Sequence, residues 1–367
     1  MLKVLFDHQA FSLQQFGGIS RYFANLYNNV QYNVNDVEAD ISILYSKNYY
    51  IRNFNGRLNN GVGKWFFSDE KRGYKWNKQY SKYRISKNDF DILHPTYYHP
   101  YFLKKIKKPY VITVHDMIHE LMPEYFNSAD ILPTHKRQCI QNAAHIIAIS
   151  HSTKKDLIEV FNIPNDRISV IHHGYLDNNS GIIQDNEPSY GRYILFVGER
   201  TAYKNFYKFA LALSLVCSKE KDIRLICAGG GPIKNAEQEM LNRLNLKDKV
   251  IQITASEKEL NSLYKNAIAF VFPSLYEGFG LPILEAFRNH CPIIVSDTAC
   301  FREIAEDACL YFDPSNPFDI AEKIEVAIND TSLMNELISK GLNRLAHFSM
   351  EQCIGKTLDV YKSIVGS

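Results

Sequence analysis

The sequence predicts an α/β protein built from two doubly wound, Rossmann-like domains. Three observations carry this. Short apolar, β-branched runs recur along the chain with helix-like stretches between them, and strands that alternate with helices form βαβ units and parallel sheets. The runs fall into two sets of six, divided by a polar, turn-rich stretch. The chain has 367 residues, 46% of them hydrophobic, which is long for one domain and sufficient for two cores.

In the first set the expected strands are 2–6, 39–45, 92–94, 110–114, 145–149 and 168–171. In the second they are 193–197, 223–228, 250–253, 267–272, 292–295 and 309–312. Between the sets, Asp177-Asn-Asn-Ser-Gly181 and Gln184-Asp-Asn-Glu-Pro-Ser189 are rich in turn formers, so a linker is expected near 177–190. Residues 1–8 turn polar too early for a signal peptide and read as the first strand. No apolar run reaches the ~18 residues of a membrane-spanning helix. The seven cysteines are scattered, odd in number and without a C-x-x-C pair. Reduced thiols and a cytoplasmic setting are therefore expected, not a disulfide framework or a zinc site.

The formal net charge is only +2, but residues 46–87 hold 11 Lys/Arg against 2 Asp/Glu, a local charge of +9. Ten aromatics share that window, among them Trp65, Phe66, Phe67, Tyr74 and Trp76. Basic groups beside Trp and Tyr suit an anionic membrane face. They also suit single-stranded nucleic acid, which is not expected here, or a helical hairpin whose rings pack inward.

The densest chemistry lies in Ser274-Leu-Tyr-Glu-Gly-Phe-Gly-Leu-Pro-Ile-Leu-Glu285. An apolar strand precedes it, and Pro282 suits the first turn of a helix. Gly278 and Gly280 permit a tight turn and close approach of backbone to a ligand. Free N–H groups at a helix start attract phosphate. Glu277 sits in the turn and Glu285 one turn into the helix, and ionised carboxylates accept hydrogen bonds from hydroxyls. Strand, glycine turn and helix together fit a phosphorylated, hydroxyl-rich ligand. Ligands of doubly wound sheets bind at the carboxyl ends of strands, where Arg200, Lys204 and His115 also fall.

Glu277-Gly-Phe-Gly-Leu-Pro-Ile-Leu-Glu-Ala286 resembles the E-x7-E donor signature of the retaining glycosyltransferases of family 4. Gly17-Gly-Ile-Ser-Arg21 is similar to that family's N-terminal glycine loop. Val197-Gly-Glu-Arg-Thr-Ala-Tyr-Lys-Asn205 is similar to its Arg/Lys phosphate clamp. Cys227-Ala-Gly-Gly-Gly-Pro232 and Leu310-Tyr-Phe-Asp-Pro314 follow in the family's order. The resemblance implies the GT-B fold, two Rossmann-like domains facing a central cleft, with the last helix crossing back. The domains would then be 1–177 plus 349–367 on the acceptor side, and 190–348 on the nucleotide-sugar side. Cys353, Ile354, Leu358, Tyr361 and Ile364 have the helical spacing that such a crossing helix needs.

The resemblance also implies roles. Arg200 and Lys204 would neutralise a departing diphosphate, Glu277 would lie near the transferred sugar, and His115 would orient a sugar hydroxyl. Gly17, Gly18, Arg21, Gly198, Gly278, Phe279, Gly280 and Leu281 would line the donor, and Glu285 would accept from the ribose diol. Asp116 and His119 are lesser candidates. No cofactor and no catalytic metal are expected. Phe6-Asp7-His8-Gln9 followed by Gly17-Gly-Ile-Ser-Arg-Tyr22 looks most like mannosyltransferases of bacterial O-antigen and capsule assembly. That implies GDP-mannose as donor and a lipid-linked or oligosaccharide acceptor at the inner membrane face, met through residues 46–87. The alternatives are a UDP-sugar transferase of the same fold and a non-catalytic carbohydrate- or lipid-binding protein. An epimerase is disfavoured because no G-x-G-x-x-G follows the first strand.

Overall fold

Twelve parallel strands form among the described residues. The computed structural model describes residues 1–34, 36–51, 58, 63, 67–175 and 190–366. Chain contacts divide it into two units, Met1–Gly174 with Met350–Ser367, and Tyr175–Ser349. Residues 177–189 of the expected linker lie outside the described residues.

In the first unit, β1 (Leu2–Phe6) pairs with β2 (Val37–Ile41) on one side and β3 (Ile92–His94) on the other. A second ladder joins β4 (Val111–Val114), β5 (His145–Ala148) and β6 (Ile168–Val170). A parallel bridge from Leu93 to Tyr110 connects the two. The strand expected at 39–45 is displaced to Val37–Ile41. Its ladder partner ends at Phe6, so pairing stops there, and the amide and hydroxyl of Ser42 turn onto the Phe6 carbonyl at 2.8 and 3.1 Å. Strands β3 and β4 are buried at every position, whereas β2 alternates. Helix Met350–Val365 belongs to this unit and buries Cys353, Ile354, Leu358 and Tyr361. The Tyr361 hydroxyl lies 2.6 Å from His94 Nδ1 at the end of β3.

In the second unit, β7 (Tyr193–Val197), β8 (Arg224–Ala228), β9 (Val250–Ile253), β10 (Ala269–Phe272), β11 (Ile293–Ser296) and β12 (Leu310–Phe312) form one sheet. Its order is β12-β11-β10-β7-β8-β9. Strand order therefore reverses between β7 and β10, and connections from these neighbours leave toward opposite faces. That opens a crevice at their carboxyl ends. Phe196, Phe209, Leu213, Val271 and Ile324 fill the core beneath. Ser256 and Glu259 form a reciprocal cap on helix Glu257–Asn266. Asn162, in the left-handed region, ends helix His151–Phe161 in the first unit.

All seven cysteines are free and buried. In the basic, aromatic window, Phe67 is buried and stacked on Tyr45 with ring centroids 5.4 Å apart. Trp65 and Phe66 lie outside the described residues. Helix Glu70–Lys87 buries Gly73, Asn77, Ser81 and Ile85. Its other side exposes Arg72, Lys75, Trp76 and Tyr83, which recur at helical spacing. No helix among the described residues is long and apolar enough to cross a membrane.

Candidate functional site

The loops after β7 and β10 meet through a cation and a carboxylate. Lys204 Nζ donates to Glu277 Oε1 at 2.5 Å, with the two side chains 18% and 17% exposed. Burial opposes the lysine's charge. Glu277, with Tyr203 and Glu199, outweighs it and holds the ammonium above the ordinary lysine range. The backbone fixes the pair from both sides: Leu275 N donates to the Tyr203 carbonyl at 2.8 Å, and Lys204 closes a short turn onto Thr201 at 3.0 Å. Asn205 stands at φ +57° and its amide reaches the Pro314 carbonyl at 2.8 Å, which anchors the loop's far end.

Gly280 caps helix Leu281–Arg288 at φ +101°. A Cβ there would stand 3.1 Å from a Phe301 ring carbon and 3.2 Å from Ile283 Cδ1, so both conformation and space demand glycine. Gly278 and Phe279 are buried, the Phe279 ring lies edge-on to Phe348 at 5.8 Å, and Leu281 is half-buried. Glu285 Oε2 accepts from the buried Tyr264 hydroxyl at 3.2 Å. The Ser274 hydroxyl, 1% exposed, has no hydrogen-bond partner among the described atoms.

Gly198 leaves β7 at φ +113°. Arg200 bonds to Glu237 and not to Glu277. Its Nε and Nη2 grip Glu237 at 3.2 and 3.3 Å, and its Nη groups donate to the carbonyls of Gly229, Gly231 and Pro232 at 3.3, 2.8 and 3.1 Å.

The first unit holds the remaining expected residues. Gly17 caps helix Gly18–Asn33, and the Arg21 amide donates to the Gly17 carbonyl at 3.0 Å. His115, 8% exposed, follows β4, stacks on His173 with centroids 5.8 Å apart, and has an Nε2 without a partner among the described atoms. Burial pushes its pKa down to about 4, with nearby Lys136 acting in the same direction and Asp116 opposing. Asp116 and Glu120 hold the buried Lys136 ammonium at 3.5 and 2.9 Å. His119 lies 3.8 Å from Asp130.

Sequence reasoning missed Glu237, Tyr264 and Lys136. Glu237 is 37 positions from Arg200, and its only signal is an acid in the first turn of the helix after the glycine run. Tyr264 and Lys136 read as ordinary helix residues.

The family profile described as group 1 glycosyl transferases matches residues 182–344, and the profile described as glycosyltransferase family 4 matches residues 16–175. The chain is 31% identical over 251 residues to the O-antigen chain mannosyltransferase RfbU of Salmonella typhimurium, covering 67% of this chain and 68% of that one. It is 28% identical over 285 residues to O-antigen chain mannosyltransferase B of Escherichia coli, covering 73% of each. Among solved structures, sucrose-phosphate synthase of Thermosynechococcus elongatus superposes with a TM-score of 0.74 at 16% identity over the whole of both chains. A glycosyltransferase of Rickettsia africae superposes at 0.72 and 18% identity, covering 99% of this chain and 98% of that one.

Proposed function

The chain belongs to the retaining glycosyltransferases of family 4, built on the GT-B fold, and on that premise we propose that it moves mannose from GDP-mannose onto a hydroxyl of a lipid-linked or oligosaccharide acceptor in surface-polysaccharide assembly. The observation that carries the donor site is the Lys204–Glu277 pair where the strand order of the second unit reverses. Similarity to two O-antigen mannosyltransferases supports the sugar and the polysaccharide.

In this reading the diphosphate lies against Lys204, the N–H groups of Gly278 to Gly280 and the start of helix Leu281–Arg288. Glu285, oriented by Tyr264, takes the ribose diol. The unpartnered Ser274 hydroxyl supports a polar ligand in this crevice. As the glycosidic C–O bond breaks, negative charge grows on the diphosphate and the lysine ammonium stabilises it. Glu277 is tied to that ammonium, which makes it a poor nucleophile. A retaining enzyme with a nucleophile needs a free carboxylate. The family resemblance implies attack from the departing face, with the leaving phosphate oxygen taking the acceptor proton, and a Glu277 paired with Lys204 fits that course. The neutral, unpartnered Nε2 of His115 suits a hydrogen bond to a sugar hydroxyl. In the first unit, Gly17, Gly18 and Arg21 are proposed to bind substrate.

The exposed Arg72, Lys75, Trp76 and Tyr83 of helix Glu70–Lys87 support contact with an anionic membrane face. Calorimetry with GDP, UDP, GDP-mannose and UDP-sugars tests the donor. Binding of GDP and GDP-mannose is expected, and preference for a uridine nucleotide would replace mannose with a UDP-linked sugar.

A further inference from the structure

Arg200 departs from the picture of two cations that both face a diphosphate. Its side chain is 1% exposed. Both oxygens of Glu237 take its Nε and Nη2 in a forked ion pair. Glu237 is itself pinned, because Lys234 N donates to its Oε2 at 2.8 Å. Around the other edge of the guanidinium runs a loop with three consecutive residues in the left-handed region, Gly229, Gly230 and Gly231, at φ +85°, +69° and +68°. That run turns the carbonyls of Gly229, Gly231 and Pro232 onto one cation. A Cβ at Gly230 would stand 2.6 Å from the Gly198 carbonyl and 2.9 Å from Arg200 Nη1, so the loop after β8 lies directly on the loop after β7.

The charge of Arg200 is thus matched by Glu237, and a phosphate would have to displace a forked carboxylate and several carbonyls to reach it. Arg200 also begins the segment that ends at Lys204, which is tied at Tyr203 to the loop after β10. We propose that Arg200 and Glu237 are positioning residues. Together they clasp the loop after β8 onto the loop after β7 and so set the place of Lys204, the cation that meets the diphosphate. This rests on reading the β7–β10 crevice as the donor site.

The test uses the full chain with Arg200→Lys, Arg200→Ala, Glu237→Gln, Glu237→Ala, the Arg200→Ala/Glu237→Ala double variant and Lys204→Ala. Two quantities are read: steady-state rates with the nucleotide sugar that the wild type turns over, and calorimetric affinities for its nucleoside mono- and diphosphate. Melting curves establish that each variant folds, and Glu237→Gln keeps the hydrogen-bonding shape if the alanine variant does not. A displaced lysine slows transfer on the order of 10²-fold. Arg200→Ala and Glu237→Ala should share that loss in kcat with little change in KM, and the double variant should be no slower than Arg200→Ala. Glu237→Gln should recover most of the rate. The diphosphate-over-monophosphate preference should fall part-way and equally in Arg200→Ala and Glu237→Ala, and collapse in Lys204→Ala. Collapse of that preference in Arg200→Ala, with Glu237→Ala unaffected or tighter-binding, would overturn the inference and make Arg200 a direct phosphate contact. A preference and rate unchanged in Lys204→Ala would instead remove the donor-site reading beneath it.

Discussion

Acid should unfold the first unit before the second. His8 and His94 are completely buried there and pushed down to about 3, and His115 is pushed down to about 4, from an ordinary value of 6.5. In each case burial is the leading cause, and His173 moves the same way. The unfolded chain takes up these protons near pH 6.5 while the folded unit does not. Stability is therefore complete above pH 6.5 and falls as the pH drops toward the folded values. Each such histidine costs about 1.4 kcal/mol per pH unit inside that window, so by pH 5 each has removed about 2 kcal/mol and the three together about 6. A domain holds roughly 5–15 kcal/mol in total. Asp7 works in the opposite sense: burial raises its pKa, so acid relieves a penalty there. It is one group against several. Asp116 is held below 3.8 and its contribution fades only at lower pH. His94 also bonds Tyr361 of the final helix and Thr113 Oγ1 at 2.9 Å, so the cost of charging it falls at the contact with that helix. Hydrogen exchange followed by segment between pH 7 and 4 is the assay. Protection should fall first in Met1–Gly174 and the final helix, with a midpoint near pH 5. Persistence of that unit to pH 3.5, or a slope unchanged in His94→Asn, would refute the reasoning.

Other outcomes follow from the same geometry. Glu285→Ala should weaken nucleoside diphosphate binding by about 10- to 100-fold, since a charge-assisted bond carries about 1.5–3 kcal/mol; equal calorimetric affinity would remove Glu285 from the site. Gly280→Ala should destabilise the chain by about 1–3 kcal/mol because its conformation and neighbours exclude a Cβ, and an unchanged melting temperature would contradict this. Nucleotide affinity should hold through neutral pH and fall only above pH 10.5, as the raised Lys204 loses its proton; a loss between pH 8 and 9, read by calorimetry, would point to a different cation. Arg72→Ser/Lys75→Ser/Trp76→Ser should reduce flotation with anionic liposomes while leaving turnover of a water-soluble acceptor intact, and unchanged flotation would show that this helix face does not dock on lipid.

The strands were legible because their apolar runs are short, β-branched and bounded by turn formers. The glycine turn at Glu277 was legible because Gly280 and Pro282 each have a local conformational reason. What stayed hidden was long-range. The resemblance placed Lys204 and Glu277 at one donor, but their direct pairing comes only from the sheet order, Lys204 after β7 and Glu277 after β10. The resemblance set Arg200 beside Lys204 in a phosphate clamp. The fold sends it to Glu237 and the glycine carbonyls instead. Ala39–Tyr45 misled at its ends because a strand stops where its neighbour stops, and Phe6 ends first.

Release of nucleoside diphosphate from a panel of nucleotide sugars, by wild type and by Lys204→Ala, tests the central claim most directly. One sugar nucleotide should be turned over by the wild type, and the variant should be slower by about 10²–10³-fold in kcat, the cost of removing one preorganised charge from a leaving group. Equal release by the two proteins would contradict the assignment of this crevice as the place where the glycosidic bond breaks.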